Sequence, residues 1–372
     1  MKKFTFRTSY GIINTNKNKS KRKLTMPINK QKWKTVEFSR SKIIKSGKII
    51  KSPESSYDQI KEAMGVIDNW RAAHAYPLHV IYTHLRRMAA SRTDIIVAER
   101  LKRLDSIINK LKREPSMSLW MMQDLGGCRY IVPSIEEVYR SHDEYEKSRK
   151  RHVLKETYDY IETPKKSGYR SFHAVYEYKS DKNDTYNKNM LIEVQFRTHL
   201  QHIWATAVET MGLFTMQAIK SGQGSNDVKR FFALVSSLFA IKENCPIVPN
   251  TPTDVDEIVS EIEEINSRCN FIDMLSAIRV AVDNQESYKI NDAGYYILIL
   301  NYINKRLRIK YYKPSQLEEA TDVYQQIEKT RAELKIDAVL VRVDSFKTLR
   351  TAYPNYFSDI GEFVDLVKSY LA

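Results

Sequence analysis

With 372 residues and 42% hydrophobic content, the chain is long enough for two or three domains with cores of their own. No apolar run approaches the ~18 residues of a membrane span, so a soluble, cytoplasmic protein is expected. Three cysteines (Cys128, Cys245, Cys269) without a CxxC pair, and eight histidines without further ligands at metal spacing, speak against a disulfide framework and a structural zinc site.

The net charge of +15 is unevenly placed: residues 1–51 hold sixteen Lys or Arg and one acid, Glu37, while the remainder holds 44 of each sign. Residues 1–55 therefore read as a basic arm and lead-in. The stretch "NTNKNKSKRKL" has three readings: a disordered nucleic-acid arm, a transit-like peptide, or a translated leader ahead of a start at Met26.

Next, "DQIKEAMGVIDNWRAAHAYPLHVIYTHLRRMA" predicts two helices broken before Pro77. "DIIVAERLKRLDSIINKLKREP" continues with a helical period to Pro115. Strands are predicted over "GGCRYIVP", "KETYDYIE", "FHAVYEYK" and "NMLIEVQFR". Residues 199–243 turn helical again, interrupted by "SGQGSND". Residues 56–244 thus read as a small mixed sheet flanked by helices, and "CPIVPNTPTD", residues 245–254, as a linker. Residues 255–372 read as a second α+β module: a helix to about Val282, a hairpin of "YYILILNYI" and "RLRIKYY" through Asn304 and Lys305, a helix over "PSQLEEATDVYQQIEKTRAEL", a strand "DAVLVRV" and a terminal helical segment. Over residues 254–372 the chain has 20 acids and 15 basic residues, a mildly acidic back to a cationic front. The fold class is α+β.

Several motifs bear on chemistry. Arg100, Lys102, Lys110 and Arg113 cluster positive charge around an apolar stripe of Leu104, Ile107, Ile108 and Leu111. Such a face is either an ordinary solvated surface or a set of cations suited to the ~4 charges of a triphosphate. "MMQDLGGCRY" puts Asp124 at a turn whose glycines permit close backbone approach, with Arg129 opening a strand. "EVQFRT" spaces Glu193, Gln195 and Arg197 by two, so they leave one face of a strand, and that face must meet solvent or a ligand. In "PKKSGYRSFHAVYEY", Lys165, Lys166 and Arg170 surround Tyr169, which either covers the sheet end or stacks on a nucleobase. His173 either reaches the same phosphates or satisfies a local hydrogen bond.

In this order, the basic segment, the Asp-Gly-Gly turn, the Lys-Gly-Tyr-Arg loop, the Glu-x-Gln-x-Arg strand and the "HLQHIWATAVE" helix resemble the synthetase domain of the RelA/SpoT family. The likeness covers about residues 60–240. It implies a nucleotidyltransferase-like mixed sheet that transfers pyrophosphate from ATP to a ribose 3′-hydroxyl. By position it implies Arg100, Lys102, Lys110, Arg113 and Arg129 for ATP, and Asp124 and Glu193 for Mg²⁺, Glu193 also drawing the proton from the acceptor. It further implies Tyr169 under the acceptor base, with Lys165, Lys166, Arg170, His173, Gln195 and Arg197 on that side. One departure is that the family's Glu-His after the tryptophan helix reads Glu209-Thr210 here. No His/Asp hydrolase pattern accompanies these motifs, since the sole His-Asp dipeptide, His142-Asp143, lies within the synthetase span.

The stretch "FSRSKIIKSGKII…IDNWRAAHAYPL" and the added C-terminal module resemble the family's fused toxin–antitoxin branch, the CapRel proteins of phage defence. That resemblance implies a toxic pyrophosphokinase acting on the 3′-CCA end of tRNA, held closed by residues 255–372 until a phage major capsid protein binds. Arg86, Arg87, Arg149, Lys150 and Arg151 are the candidates for the tRNA backbone, although such clusters are often only solvated. Tyr353 and Tyr356 match the branch's Tyr-x-x-Tyr block of the ATP site; composition alone reads them as packing residues. An exposed apolar surface near Val339, Leu340 and Phe346 is the candidate trigger site. Two other readings stay open: a synthetase of (p)ppGpp using GDP or GTP, and a non-catalytic basic RNA-binding protein.

Overall fold

The structure, a computed structural model, describes residues 33–182, 184–215, 225–277, 281–282, 293–301, 303–304, 306–334, 336–357 and 360–372. Most of the basic arm, and residues 221–224 of the interrupting "SGQGSND", lie outside these residues, while Ser225, Asn226 and Asp227 open a helix. The lead-in is not merely an arm: Ser39 caps helix α1 (Arg40–Lys51), which buries Ile43 and Ile50 in a cluster with Ile67 and Trp70 of α2 (Tyr57–Ala73). Ser56 and Gln59 form a reciprocal capping box at the start of α2. The chain breaks at His74, and Pro77 falls in the first turn of α3 (Ala75–Met88), where its missing N–H costs nothing.

The segment expected to be helical throughout instead opens with a strand, β1 (Ile96–Leu101), and turns helical only at α4 (Leu104–Arg113). Ile95, Ile96 and Val97 are β-branched, and a short apolar run does not distinguish a strand from a buried helix by its period. What decides it is pairing on both sides. β1 lies antiparallel to β2 (Gly126–Val132) and, through Glu99 and Arg100 opposite Arg342 and Val341, antiparallel to β9 (Ile336–Val343).

After β2 come α5 (Ile135–Lys147), β3 (Val153–Asp159), β4 (Phe172–Glu177), β5 (Leu191–Thr198), α6 (His199–Thr215) and α7 (Ser225–Lys242). Then follow α8 (Val255–Cys269), α9 (Phe271–Ala277), β6 (Ala281–Val282), β7 (Gly294–Asn301), β8 (Arg306–Tyr312) and α10 (Leu317–Leu334), with α11 (Phe346–Ala352), α12 (Pro354–Phe357) and α13 (Gly361–Tyr370) after β9. The helix expected to reach Val282 ends instead at Cys269, because Asn270 takes a left-handed conformation at φ 55°. The expected β7–β8 hairpin forms, with Asn301 opposite Arg306.

Among the described residues one mixed sheet runs through the whole chain, nine strands in the order β3-β4-β5-β2-β1-β9-β7-β8-β6. The C-terminal strands extend the same sheet. The stretch 245–254 is also tied down: Val248 is buried, and its N–H donates to Ser237 Oγ of α7 at 3.0 Å. Helices α8, α9 and α13 share an apolar cluster with α6 and α7, through Ile258, Ile272, Phe363, Trp204 and Phe232.

The two faces of the sheet differ. On one, Val97, Cys128, Val194 and Ala174 pack beneath Leu78 and Ile81 of α3 and Val138 of α5. On the other, β4, β5 and β2 carry His173, Glu193, Gln195, Arg197 and Arg129. Beyond β1 that same face becomes apolar, with Ala98, Val341, Val343, Tyr296 and Leu298 packed against Tyr353 and Tyr356. Val339 and Leu340, expected on an exposed trigger surface, lie within central strand β9 and are buried, because strands paired on both edges and covered on both faces need apolar side chains throughout. The Phe346 side chain, the third of that expected surface, lies outside what the structure describes.

A buried ion pair joins the two ends of the chain. Arg71 of α2 donates to Glu328 of α10 at 2.6 Å, and the same carboxylate accepts from the Leu104 N–H at 3.1 Å and the Tyr324 hydroxyl at 2.7 Å. Glu328 therefore caps α4, whose own N-cap, Arg103, makes no side-chain cap. Glu328→Ala strands a buried guanidinium and is expected to cost about 3–5 kcal/mol in a urea titration, while the Arg71→Met, Glu328→Leu pair recovers much of it. A single variant as stable as the parent would mean that the pair carries no net stability. Among the described residues no helix is long and apolar enough to cross a membrane.

Candidate active site

Period-two alternation places Glu193, Gln195 and Arg197 of β5 on one face, as the spacing predicts. They are chained: Arg197 donates to Gln195 Oε1 at 2.5 Å, and Gln195 donates to Glu193 Oε2 at 2.6 Å. The other Glu193 oxygen meets His173 Nδ1 at 3.0 Å, and His173 Nε2 meets the Tyr169 hydroxyl at 2.8 Å. Burial alone would raise the Glu193 carboxyl, but His173, the Gln195 amide and the nearby Lys110 ammonium outweigh it and bring it down to about 2. Glu193 is therefore charged at neutral pH but, in this arrangement, a weak base.

Asp124 lies three residues ahead of Gly127, which faces Glu193 across the parallel β2–β5 pair. The fit here is close, since a Cβ on Gly126 would stand 2.8 Å from Ile192 Cδ1 and 3.3 Å from Leu78 Cβ. Asp124 is held between Lys102 at 2.7 Å and Lys110 at 3.1 Å. Lys110 thus binds one acid and lies in the field of the other. The helix that carries it starts beside Lys102, whose N–H is fixed to the Leu125 carbonyl at 2.8 Å.

The Tyr169 loop is set by packing. Gly168 has φ +92°, and a Cβ there would stand 2.7 Å from the Trp204 ring and 3.0 Å from the Phe232 carbonyl. Tyr169 is half-buried, its ring against the α6–α7 cluster and its hydroxyl on His173, so it is not the fully exposed ring that the loop suggests. Lys165 lies 5.5 Å from the Tyr169 ring centroid and 4.0 Å from that of Tyr160. Lys165 and Lys166 are exposed. Arg170, expected on the acceptor, points the other way: it is buried, bonded to Ser236 Oγ at 3.2 Å and paired with Glu243 at 2.9 Å. Its role here is to lock the loop onto α7.

A second group of cations gathers where the polar face meets the C-terminal elements. Burial, then neighbouring Arg100 and Arg197, pulls Arg129 down to about 10, the mark of guanidiniums crowded together with few anions. Glu209 answers them in part, at 3.5 Å from Arg129; burial works against its charge, yet Arg129, Arg100, Arg103 and Arg197 hold it below the usual carboxylate range. The rest comes from the chain's end. Arg129 donates to the Ala352 carbonyl at 3.1 Å, and His202 Nε2–H to that of Thr351 at 2.9 Å. Tyr353 packs its ring 5.3 Å beneath the Arg129 guanidinium and donates to the Glu99 carbonyl at 3.1 Å. Tyr356 donates to Asp337 at 2.8 Å beside Arg103, which also pairs with Asp337. Arg113 stands apart, 71% exposed and 3.2 Å from Glu114.

Residues 99–213 match the family described as "Region found in RelA / SpoT proteins". The match runs from β1 into α6. Over 112 residues the chain is 33% identical to GTP pyrophosphokinase YjbM of Bacillus subtilis (strain 168), covering 30% of this chain and 52% of that protein. It is 30% identical to GTP pyrophosphokinase YwaC of the same organism over 112 residues, 29% of this chain and 52% of that protein. The chain thus spans about half the length of these relatives. Among solved structures it is similar to small alarmone synthetase 2 of B. subtilis, at 20% identity and TM-score 0.40 over 47% of this chain and 93% of that one. It is also similar to small alarmone synthetase 1 of B. subtilis bound to its product pppGpp, at 25% identity and TM-score 0.35 over 44% and 84%.

Within the RelA/SpoT segment, Thr210 is fully buried with no partner for its hydroxyl among the described residues, and Glu209 meets the arginines instead. Lys150, expected on a surface for RNA, lies over the Tyr145 and Tyr176 rings and bonds to Glu146, so it belongs to the packing. Arg87 and Arg149 are exposed, Arg151 pairs with Asp181 at 2.7 Å, and Arg86 pairs with Asp344 just after β9. Arg103 and the tyrosines of β3 and its end went unsingled in the sequence. Arg103 carried a signal as a further cation beside Lys102; Tyr158 and Tyr160 carried one as aromatics two apart on a strand ending at the basic loop.

Proposed function

We propose that the chain is an ATP-dependent pyrophosphokinase whose RelA/SpoT face is closed by its own C-terminal segment, residues 255–372. Its acceptor on this reading is the 3′-CCA end of tRNA, and its release follows binding of a phage major capsid protein. The observation that carries the closed reading is the end of α11. The last carbonyls of a helix are unpaired and bear partial negative charge. Those of Thr351 and Ala352 accept from His202 and Arg129, and the Tyr353 ring fills the space below, where a donor nucleotide's phosphates and base would need the same cations. A substrate has to displace them.

Chemically, Arg100, Lys102, Lys110 and Arg129 would screen the triphosphate; the acceptor's sugar hydroxyl would attack its middle phosphorus, the bond from that phosphorus to the α-phosphate oxygen would break so that AMP leaves, and the hydroxyl proton would pass to Glu193. Asp124 and Glu193 fit a Mg²⁺ of the kind bound by one or two carboxylates and substrate phosphates, because Lys110 pairs with the first and lies in the field of the second. Bound there, the metal would supply charge neutralisation at the phosphate oxygens. Lys102 and Lys110, now on Asp124, would turn to the phosphates. Gln195 and His173 would keep Glu193 oriented, and Tyr169 would hold the acceptor base.

The names of YjbM and YwaC favour a second reading, in which GDP or GTP is the acceptor and the product is (p)ppGpp. Incubation with γ-labelled ATP and either tRNA or GDP and GTP, with and without capsid protein, separates the two. Label is expected on the tRNA 3′ end and only with capsid protein present. Label in guanosine nucleotides alone would select the second reading, and no transfer in any arm would leave a non-catalytic RNA-binding protein.

A further inference from the structure

Beyond Tyr169 the acceptor side continues as a file of rings that the chemistry above does not use. Tyr160 stands 6.0 Å from Tyr169 and 5.2 Å from His173, the ring that contacts Glu193 at 3.0 Å, which places it beside the reacting centre. Tyr158, two residues earlier and so on the same face, lies parallel to Tyr160 at 5.9 Å with 4° between the planes. It is opposite His173 in the β3–β4 register. Its hydroxyl donates to Glu156 Oε2 at 2.5 Å and lies 3.2 Å from Gln123 Oε1, which fixes the ring without covering it. Both rings are half-exposed, Tyr158 on the edge strand β3 and Tyr160 one residue past its end, with four strands between β3 and β9. The closed C-terminal elements therefore leave this side open.

A free nucleotide would need one ring. Parallel aromatic faces with a cation, here Lys165 over Tyr160, suit successive unpaired bases and a phosphodiester backbone. Glu156, a carboxylate beside the rings, is tied to Gln123 and Tyr158. We propose that Tyr160 and Tyr158 form a stacking track for the unpaired nucleotides that precede the acceptor nucleotide, so that the site takes a single-stranded RNA 3′ end in preference to a free nucleotide. This rests on the placement of the acceptor base at Tyr169 and deepens the function proposed above by naming what discriminates its substrates.

Binding to the intact chain tests it without requiring turnover. A 5′-fluorescein-labelled trinucleotide CCA is titrated by anisotropy, with unlabelled AMP and GTP as competitors. Tyr158→Ala and Tyr160→Ala are each expected to weaken the trinucleotide by about 5- to 150-fold and leave AMP and GTP unchanged. Tyr158→Phe and Tyr160→Phe, which keep the rings, are expected to bind as the parent does. No trinucleotide binding by the parent, unchanged binding by the alanine variants, equal losses for trinucleotide and mononucleotides, or phenylalanine variants as weak as the alanine ones would each overturn the track. Failure of pyrophosphate transfer to any RNA, with ring-dependent binding intact, would count against the proposed function and not against the track.

Discussion

Tyr353→Ala is expected to transfer pyrophosphate without any trigger and to arrest the growth of cells that express it. The ring is 1% exposed and meets Arg129 on one side and the apolar face of Ala98 and Val341 on the other. Removing a buried aromatic side chain costs about 3–5 kcal/mol. If the ring packs only in the closed arrangement, that cost falls on the closed state alone and moves the balance toward the open one by about 150- to 5,000-fold. Tyr353→Phe loses only the bond to the Glu99 carbonyl, about 1 kcal/mol, and is expected to leak far less. The graded pair separates a plug from an ordinary core residue. A core residue would give a Tyr353→Ala protein that unfolds earlier in urea yet stays as silent as the parent, and that result would remove the block at this position.

How much of this was legible in the sequence depended on how local the cause was. The line of Glu193, Gln195 and Arg197 follows from strand geometry alone, and the end of the linker is equally local, since Asp254 accepts from the N–H groups of Asp256 and Glu257 and so starts α8. What escaped was set by distant partners. β1 is a strand because β9, about 240 positions on, completes its second edge, and nothing within "DIIVAERL" announces that pairing. Arg170 looked like a phosphate ligand because its neighbours are basic; only the folded chain brings Glu243 to it. Val339 and Leu340 looked like a sticky surface for the same reason, since an apolar run carries no mark of being covered on both faces. Conversely, the Tyr158–Tyr160 file was visible as spacing but acquires meaning only once β3 is the edge and Glu193 lies beside it.

Asp124→Ala is expected to abolish transfer while leaving ATP binding intact or tighter, and the split between the two is what identifies its role. The carboxylate now neutralises Lys102 and Lys110, so removing it frees two ammonium groups that can bind phosphates. A loss of several kcal/mol of charge stabilisation at the reacting phosphate lowers the rate by about 10³ or more. Stability should change little, because Asp124 is partly exposed and its ion pairs are screened. Measured in the Tyr353→Ala background, ATP affinity and turnover should therefore move apart, with Kd falling or constant and kcat collapsing. Were Asp124 only a clamp that shapes the two lysines, Asp124→Asn would keep the shape and much of the turnover, and both variants would lose ATP affinity in step with rate. Turnover within tenfold of the background in Asp124→Ala would strike the acid from the reacting centre.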